Sequence, residues 1–314
     1  GCSIGVALVD HADTDPLEAL RWADLALYRS KDAGRMCVTF FEPEMDAALR
    51  LRRALELDLR AAINAGTLQM AYQPQVDARG EITAVEALVR WTHPERGVIP
   101  PGIFVPLAEE SGLILDLGEF VLRRVFTEAR AWPHIRTAIN ISAVQLRAPA
   151  FISLVTRIAA EERTNPARIE FEVTETALLG DDPATFDNIE GLKRLGFSIA
   201  LDDFGTGYSS LSVLQRFAVD KLKIDRSFVL NLGASAEALA LVDAMIKLAR
   251  ALNLAVVAEG VETEAQRDRL AACGCTEFQG HLIGMPMGAA QIITTLASNK
   301  PPAAKDQALL ATSS

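Results

Sequence analysis

The stretch Phe197-Ser198-Ile199-Ala200-Leu201-Asp202-Asp203-Phe204-Gly205-Thr206-Gly207 joins an apolar run to two consecutive carboxylates and a glycine-rich continuation. The apolar run predicts a buried strand that ends at the aspartates. Two carboxylates about 4 Å apart repel each other by roughly 4 kcal/mol at an effective dielectric constant of about 20, so cations beside them are favourable. An acidic turn that caps a helix is the commoner explanation of an isolated pair. The rest of the chain therefore decides between a metal site and a capping turn.

Apolar segments of similar length recur along the chain, and helical stretches separate most of them. The strands are predicted at residues 69–76, 83–90, 136–141, 168–173, 197–202, 220–225, 254–259 and 277–280. This alternation is typical of a parallel α/β domain, and eight such strands predict a TIM-like (β/α)8 barrel. The connection 77–81 is too short for a helical crossover, so we expect the first strand of the barrel to be antiparallel.

The two ends of the chain differ from this pattern. Residues 15–34 and 45–65 have the apolar spacing of helices. We expect residues 1–43 to be a separate segment, 44–298 to form the barrel and 299–314 to be a flexible tail. The tail prediction rests on a proline pair followed by small and polar residues. The start at Gly1 rather than methionine suggests a piece of a longer protein.

Composition narrows the classes of partner. The chain has 314 residues and 50% hydrophobic content, enough for a barrel-sized core. Its formal net charge of -10 argues against binding a nucleic acid polymer. Four scattered cysteines do not form a disulfide framework, and we interpret them as reduced. No apolar stretch reaches the ~18 residues of a membrane span, so we expect no membrane contact by this fragment.

Polar residues lie within or at the ends of the predicted strands. They are Glu86, Asn140, Glu172, Asp202, Asp203, Lys223, Glu259 and Gln279. The carboxyl ends of parallel barrel strands share one rim, where active sites of this architecture lie. Acids and an amide converging there predict a site for a hard cation, Mg²⁺ or Mn²⁺, rather than for zinc. Any one of these acids taken alone is more often a surface or capping residue, so the prediction depends on the whole set.

At these positions the chain resembles the EAL family of cyclic di-GMP phosphodiesterases. The matching segments are Glu86-Ala87-Leu88, Tyr72-Gln73-Pro74, Asn140-Ile141-Ser142, Glu172-Val173-Thr174-Glu175, Asp202-Asp203-Phe204-Gly205-Thr206-Gly207, Lys221-Leu222-Lys223-Ile224-Asp225, Glu259-Gly260-Val261-Glu262 and Gln279-Gly280. A lone Glu-Ala-Leu occurs in countless helices and carries no weight. The ordered set is specific, and it covers about residues 45–298.

The resemblance implies a role for each residue. Ligands of a first metal would be Glu86, Asn140, Glu172 and Asp202. Ligands of a second would be Asp202 as a bridge, Asp203 and Glu259. Lys223 would hold the attacking water, and Glu259 and Gln279 would orient it. Gln73 and Arg90 match positions that contact the nucleotide and its phosphate, and Glu175 matches a glutamate that braces the loop after Asp203.

The resemblance implies hydrolysis of cyclic di-GMP to linear pGpG with two Mg²⁺ or Mn²⁺ ions. The residues are consistent with this, because hydrolysis of a phosphodiester needs cations that withdraw charge and activate water. Water rather than a side chain is the expected nucleophile. Lys223 could instead be a plain counter-ion of the acids. Two other classes stay open: a silent cyclic di-GMP receptor with the same pocket, and an enolase-type enzyme with one metal.

Further expectations follow from the resemblance. Residues 3–7 and 23–35 resemble the C-terminal end of a GGDEF domain without its nucleotide-binding hairpin, so cyclase activity is not expected here. Similar proteins dimerise through helices beside the loop at Gly205–Gly207, which implies a homodimer and a loop that moves. The apolar stripe of the predicted helix 232–253 is more often used for core packing. We expect a cytoplasmic location, with a parent protein that can be membrane-anchored through missing N-terminal segments.

Overall fold

The computed structural model describes residues 1–9, 15–179, 182–205, 214, 216–232 and 236–298, except for the side chains of residues 32 and 236. Contacts within these residues divide the chain into two compact units, Gly1–Ala65 and Gly66–Ser314. The division thus follows the long second helix, whereas the boundary predicted from sequence precedes it. The expected tail 299–314 lies outside the described residues.

The first unit contains two helices and a small parallel sheet. Its elements are β1 (Ile4–Val6), α1 (Pro16–Asp32), β2 (Val38–Phe40) and α2 (Pro43–Ala65). The carboxylate of Asp15 caps α1 by accepting a hydrogen bond from the amide of Leu17. Asp46 of α2 pairs with Arg21 of α1 at 2.7 Å, which ties the two helices together.

The second unit is built on a closed barrel. Its strands are β3 (Gln69–Asp77), β4 (Ile82–His93), β5 (Gly97–Ile99), β6 (Arg136–Asn140), β7 (Ile169–Thr174), β8 (Ser198–Phe204), β9 (Lys221–Ile224), β10 (Ala255–Ala258) and β11 (Glu277–Gln279). The order is β3-β11-β10-β9-β8-β7-β6-β4, with β3 also paired to β4 and β5 attached outside as a hairpin partner of β4. β3 is antiparallel to both neighbours, and the other barrel pairs are parallel. The predicted TIM-like barrel with an antiparallel first strand is confirmed.

Helices follow most of the parallel strands. They are α3 (Pro101–Ser111), α4 (Ile114–Ala129), α5 (Ala143–Arg147), α6 (Phe151–Glu161), a 3-10 turn (Pro166–Arg168), α7 (Glu175–Leu178), α8 (Pro183–Arg194), α9 (Arg226–Leu230), α10 (Ala236–Ala251), α11 (Glu264–Cys273) and α12 (Ala289–Ser298). The apolar faces of these helices, apart from α3, pack with residues of the strands into one core, as Phe126 of α4 does with Phe197 before β8. In α10, Val242 and Ala249 are buried, but Leu241 is 47% exposed, so only part of the predicted stripe packs into the core.

Alternate strands fill the barrel interior in layers. Side chains two residues apart on a strand face the same side. An upper layer consists of Glu86, Glu172, Lys223 and Gln279, from β4, β7, β9 and β11. A lower layer consists of Ala84, Glu170, Lys221 and Glu277 from the same four strands. All eight are buried, so the barrel carries charge where such barrels usually carry branched apolar residues.

No helix in the described parts of the chain is both long enough and apolar enough to cross a membrane. The predicted cytoplasmic location stays a prediction.

Candidate metal centre

Asp202 and Asp203 lie at an irregularity of β8. The register between β8 and β9 shifts between Leu201 and Phe204, so the two aspartates occupy a bulge. Asp203 has a φ of 55°, and its amide donates to Oδ1 of Asp202 at 3.0 Å. Consecutive side chains of a regular strand point to opposite faces, and the bulge removes that restriction. Asp202, Asp203 and Glu259, which follows β10, each present an oxygen within 4.8 Å of the others.

Lys223 lies at the centre of the predicted site. Its ammonium nitrogen is 2.8 Å from Oε2 of Glu172, 3.2 Å from Oδ1 of Asp202 and 2.6 Å from Oε1 of Glu259. The lysine is fully buried, so these carboxylates compensate its charge in place of water. Three predicted metal-site acids thus converge on one point.

Glu86 completes the cluster from the opposite side of the barrel. Its Oε1 accepts a hydrogen bond from Nδ2 of Asn140 at 2.7 Å. Its Oε2 accepts one from Nε2 of Gln279 at 2.5 Å, and that same nitrogen lies 3.2 Å from Oε1 of Gln73. The amide residues predicted from sequence therefore lie next to the acids, and every predicted metal ligand lies at one end of the barrel.

The charges in the cluster are strongly coupled. Burial raises the pKa of Glu172 well above its usual value, and burial raises that of Glu259 to about 8 in spite of Lys223. Burial also acts to raise the pKa of Glu86. The charge of Lys223 and the hydrogen bonds from Gln279 and Asn140 outweigh this effect, so the pKa of Glu86 is lowered. Burial lowers the pKa of Lys223, yet the surrounding carboxylates outweigh that effect and raise it well above normal. Lys223 is therefore a charged group and a poor base.

The composition of the cluster fits divalent cations. Five carboxylates, from Glu86, Glu172, Asp202, Asp203 and Glu259, surround one ammonium group, so negative charge is in excess. Within the described residues, neither carboxylate oxygen of Glu172 makes a well-aligned hydrogen bond although both are buried. Oxygen donors with no histidine or cysteine among them suit Mg²⁺ or Mn²⁺. The acids form a possible metal site.

Two cavities adjoin the cluster. The smaller, of about 240 Å³, is lined by Gln73, Glu86, Asp202, Glu259 and Gln279 together with Arg226, Gly260, Glu262, Gly280 and His281. The larger, of about 650 Å³, is mostly apolar and has Arg90 and Asn140 in its wall. Burial lowers the pKa of Arg90, partly offset by Glu86, so its guanidinium is partly desolvated beside the cluster. The two residues predicted to contact substrate thus line different cavities, Gln73 the smaller and Arg90 the larger.

Glu175 contacts the segment that follows the aspartates. Its Oε2 accepts a hydrogen bond from the amide of Gly205 at 3.3 Å. Gly205 has a φ of +95°, and a Cβ there would lie 2.5 Å from Cε of Met245, so glycine is favoured at this position. Residues 206–213 of the predicted mobile loop lie outside the described residues.

Sequence reasoning missed Gln75 of β3. Its Nε2 donates to Oε1 of Gln279 at 2.8 Å, and the side chain is fully buried. Gln75 therefore holds the amide of Gln279 in the orientation that directs its nitrogen at Glu86. The spacing of two residues from Gln73 on one strand was the available signal.

Gly280 allows a close approach at the same end of the barrel. A Cβ at this residue would lie 2.2 Å from the carbonyl oxygen of Val261. The amide of Val261 donates to the carbonyl of Gln279 at 2.9 Å. The Gln-Gly pair therefore lets the end of β11 contact the segment after Glu259, which brings two predicted site residues together.

Comparisons with known proteins agree with this fold. The sequence model of the EAL domain family matches residues 56–286. MucR of Pseudomonas aeruginosa, a bifunctional diguanylate cyclase/cyclic di-GMP phosphodiesterase, is 41% identical over 301 residues, covering 94% of this chain and 44% of MucR. The cyclic di-GMP phosphodiesterase PdeR of Escherichia coli is 40% identical over 292 residues, covering 92% of this chain and 44% of PdeR.

A solved structure agrees as well. The PaMucR phosphodiesterase in a c-di-GMP complex superposes with a TM-score of 0.73 at 42% identity, covering 76% of this chain and 99% of that one. This chain spans less than half the length of the two curated relatives. The match of the family model to well over half of the sequence shows that the chain belongs to the EAL domain family.

Proposed function

We propose that the chain hydrolyses cyclic di-GMP to linear pGpG with the help of two divalent cations, Mg²⁺ or Mn²⁺. The observation that carries the proposal is the convergence of Glu172, Asp202 and Glu259 on Lys223, with Glu86 and Asn140 beside them. The names of MucR and PdeR and the c-di-GMP complex of PaMucR support the substrate. The full set of family residues favours an active enzyme.

The proposed ligands fall into two groups that share one residue. Glu86, Asn140, Glu172 and Asp202 would hold the first cation. Asp202, Asp203 and Glu259 would hold the second, and these three already present oxygens within 4.8 Å of one another. Two bound divalent cations would withdraw charge from the phosphodiester and lower the pKa of water.

The remaining residues would orient the reactants. Lys223 keeps its proton, so it would donate hydrogen bonds to the attacking water and would not act as a base. Gln279 is held from both sides by Gln75 and Glu86, which would fix its amide as a second contact to that water. Glu259, whose carboxylate lies 2.6 Å from the Lys223 nitrogen, would complete the set.

The cavities provide room for the nucleotide. Gln73, which donates to the carbonyl of Gly284 at 3.1 Å, would contact the substrate in the smaller cavity. Arg90 would pair with phosphate from the wall of the larger one, where its guanidinium already donates to the carbonyl of Val89. Glu175 would hold the segment after Asp203 in place through the amide of Gly205.

Product analysis tests the proposal. The purified chain is incubated with cyclic di-GMP and Mn²⁺, Mg²⁺ or EDTA, and the nucleotides are separated by chromatography. We expect pGpG with either metal and none with EDTA. Binding without any linear product would support the receptor alternative. The enolase-type alternative needs a base for proton abstraction, and the strongly held proton of Lys223 argues against it.

Other proposals concern the N-terminal segment and the assembly of the chain. We propose that residues 1–43 are the C-terminal remnant of a GGDEF domain, which the cyclase named in MucR supports. We also propose a homodimer formed beside the segment that follows Gly205. The exposed Leu239 and Leu241 of α10 are available for such a contact. Sedimentation at several protein concentrations tests the dimer, and full activity in a strictly monomeric preparation would contradict its coupling to catalysis.

A further inference from the structure

A second ion cluster occupies the lower layer of the barrel. The ammonium of Lys221 lies 2.8 Å from Oε1 of Glu170 and 2.8 Å from Oε2 of Glu277. Arg136, at the start of β6, reaches Oε1 of Glu277 at 2.7 Å. Lys221 and Glu170 are each 1% exposed, so these two charges lie buried in the barrel interior.

The lower layer is balanced in charge, unlike the upper one. Two carboxylates face one ammonium and one guanidinium, so the group is formally neutral without any added ion. A balanced buried cluster adds little stability over well-packed apolar residues of the same volume, because desolvation offsets the attraction. What such a cluster does supply is a set of fixed separations, since each buried charge must stay close to its partners.

Three of the four charged residues of this cluster, all but Arg136, stand two positions before a residue of the proposed active site. The pairs are Glu170 with Glu172, Lys221 with Lys223, and Glu277 with Gln279. A shift of any lower residue along its strand is therefore passed to the upper residue on the same face through two rigid peptide units.

β9 has particular need of such an anchor. It contains only Lys221–Ile224, which pair regularly with β10, but its pairing with β8 is interrupted between Leu201 and Phe204 at the aspartate bulge. Lys223 therefore has no regular partner on β8. Lys221 instead connects β9 to β7 and to β11, the strands two places away on either side.

We propose that Glu170, Lys221 and Glu277 are positioning residues. They fix how far along the barrel strands Glu172, Lys223 and Gln279 lie in the active site. The role rests on the proposed phosphodiesterase function. Misplacement of a catalytic group by about 1 Å can lower a rate by about 10²-fold, so a small relaxation of β9 has a measurable effect. The positioning residues contact neither substrate nor metal in this scheme.

Lys221→Met and Glu170→Gln test the proposal. Both keep the approximate length of the side chain, and the second leaves a hydrogen-bonding group. The matched control is Ile158→Ala, a buried residue of α6 in the apolar core. All variants are assayed for kcat and KM with cyclic di-GMP, for Mn²⁺ affinity by calorimetry, and for the melting temperature, at a temperature where each is folded.

We expect kcat to fall by roughly 10- to 100-fold in Lys221→Met with KM changed less than about 3-fold. Mn²⁺ affinity should fall by about 10-fold, as for residues that orient metal ligands indirectly. Glu170→Gln should show the same pattern to a smaller degree. The melting temperature of the control, Ile158→Ala, should fall, while its kcat and Mn²⁺ affinity should stay unchanged.

Normal kcat and Mn²⁺ affinity in both lower-layer variants would overturn the proposal, as would losses no larger than those of Ile158→Ala. Should Lys221→Met not fold, Glu170→Gln decides the matter by the same two measurements. If the wild-type chain yields no pGpG, the proposed function fails. The comparison of Mn²⁺ affinities still supports or rejects the positioning role, so the two failures are distinguishable.

Discussion

Replacing Lys223 by methionine removes the ammonium at the centre of the proposed metal site. In the structure this group contacts Glu172, Asp202 and Glu259 at 2.8, 3.2 and 2.6 Å. Removing one partner of a buried ion cluster leaves uncompensated charge and lowers the free energy of unfolding by about 3–5 kcal/mol. For a domain of this size that corresponds to a fall in melting temperature of roughly 6–20 °C in the presence of EDTA.

Divalent cations should restore most of the free energy of unfolding that Lys223→Met loses. They would supply positive charge to the same carboxylates, and a ligand at 100 times its Kd stabilises by about 2.7 kcal/mol even without that extra effect. The rise in melting temperature caused by Mn²⁺ should therefore be larger in Lys223→Met than in the wild type. Turnover should nevertheless fall by about 10²–10³-fold, because a hydrogen-bond donor to the attacking water is missing.

Lys221→Met is the control for this experiment, since the two lysines lie two residues apart in β9 and both are buried. The Lys221 contacts belong to the neutral lower layer, so Mn²⁺ should not restore the free energy of unfolding that Lys221→Met loses. The assay is thermal unfolding followed by circular dichroism, with EDTA and with saturating Mn²⁺. An equal Mn²⁺ effect on the two variants would refute the assignment of the upper layer as the metal site, and unchanged turnover in Lys223→Met would refute its contact with water.

Four more predictions concern single residues or conditions. Asp202→Ala should abolish pGpG formation in the chromatographic assay by removing the ligand shared by both proposed cations, and retained catalysis would contradict the bridging role. Calcium titrated into the Mn²⁺ assay should compete yet support little reaction, because it is larger and less polarising; full activity with calcium alone would count against a two-metal site. Gly205→Ala should lower the free energy of unfolding in urea by roughly 1–3 kcal/mol, since its φ is +95° and a Cβ would lie 2.5 Å from Cε of Met245; an unchanged midpoint would show that the segment relaxes freely. Burial raises the pKa of the Cys275 thiol to about 12 from 9.0, so the folded state holds this proton more strongly than the unfolded state does. The free energy of unfolding should therefore fall as the pH rises from about 9 to about 12. At pH 8, mass spectrometry should find iodoacetamide on the exposed Cys2 and not on Cys275 of the native chain.

The barrel could be predicted because each of its strands has its own local signal. Short apolar runs, most of them separated by helical stretches, located all eight barrel strands to within a few residues. The short turn after β3 also gave its antiparallel direction, since five residues cannot make a crossover. β5 was missed because Gly97–Ile99 is only three residues long, and it exists through pairing with the end of β4.

The members of the site could be predicted, but their contacts could not. Strand ends locate Glu172, Asp202 and Glu259 at one rim from the chain order alone, whereas Glu86 lies within β4. The bulge at Asp203 depends on how β8 meets β9, which no local pattern reveals. The role of each ligand stays a prediction.

The lower layer was overlooked for a more general reason. Lysine and glutamate are almost never fully buried unless paired, so sequence reasoning assigns such residues to the surface. Lys221 precedes Lys223 by two positions in the same strand, and the period of two already requires that both face one side. If Lys223 is inside the barrel, then Lys221 is inside as well, and it needs an acid from another strand.

The two lysines of β9 show what distinguishes a metal site from a structural ion cluster within one fold. Both are buried, and both contact carboxylates from other strands at similar distances. Residue type and burial therefore do not separate the two layers. The balance of charge separates them. The cluster around Lys221 is neutral when Arg136 is counted, whereas Lys223 is, within the described residues, the one cation among an excess of acids. Burying such an excess is unfavourable unless protons or cations neutralise it, and burial accordingly raises the pKa values of Glu172 and Glu259. The upper layer is thus the end of the barrel where bound divalent cations would lower the free energy most.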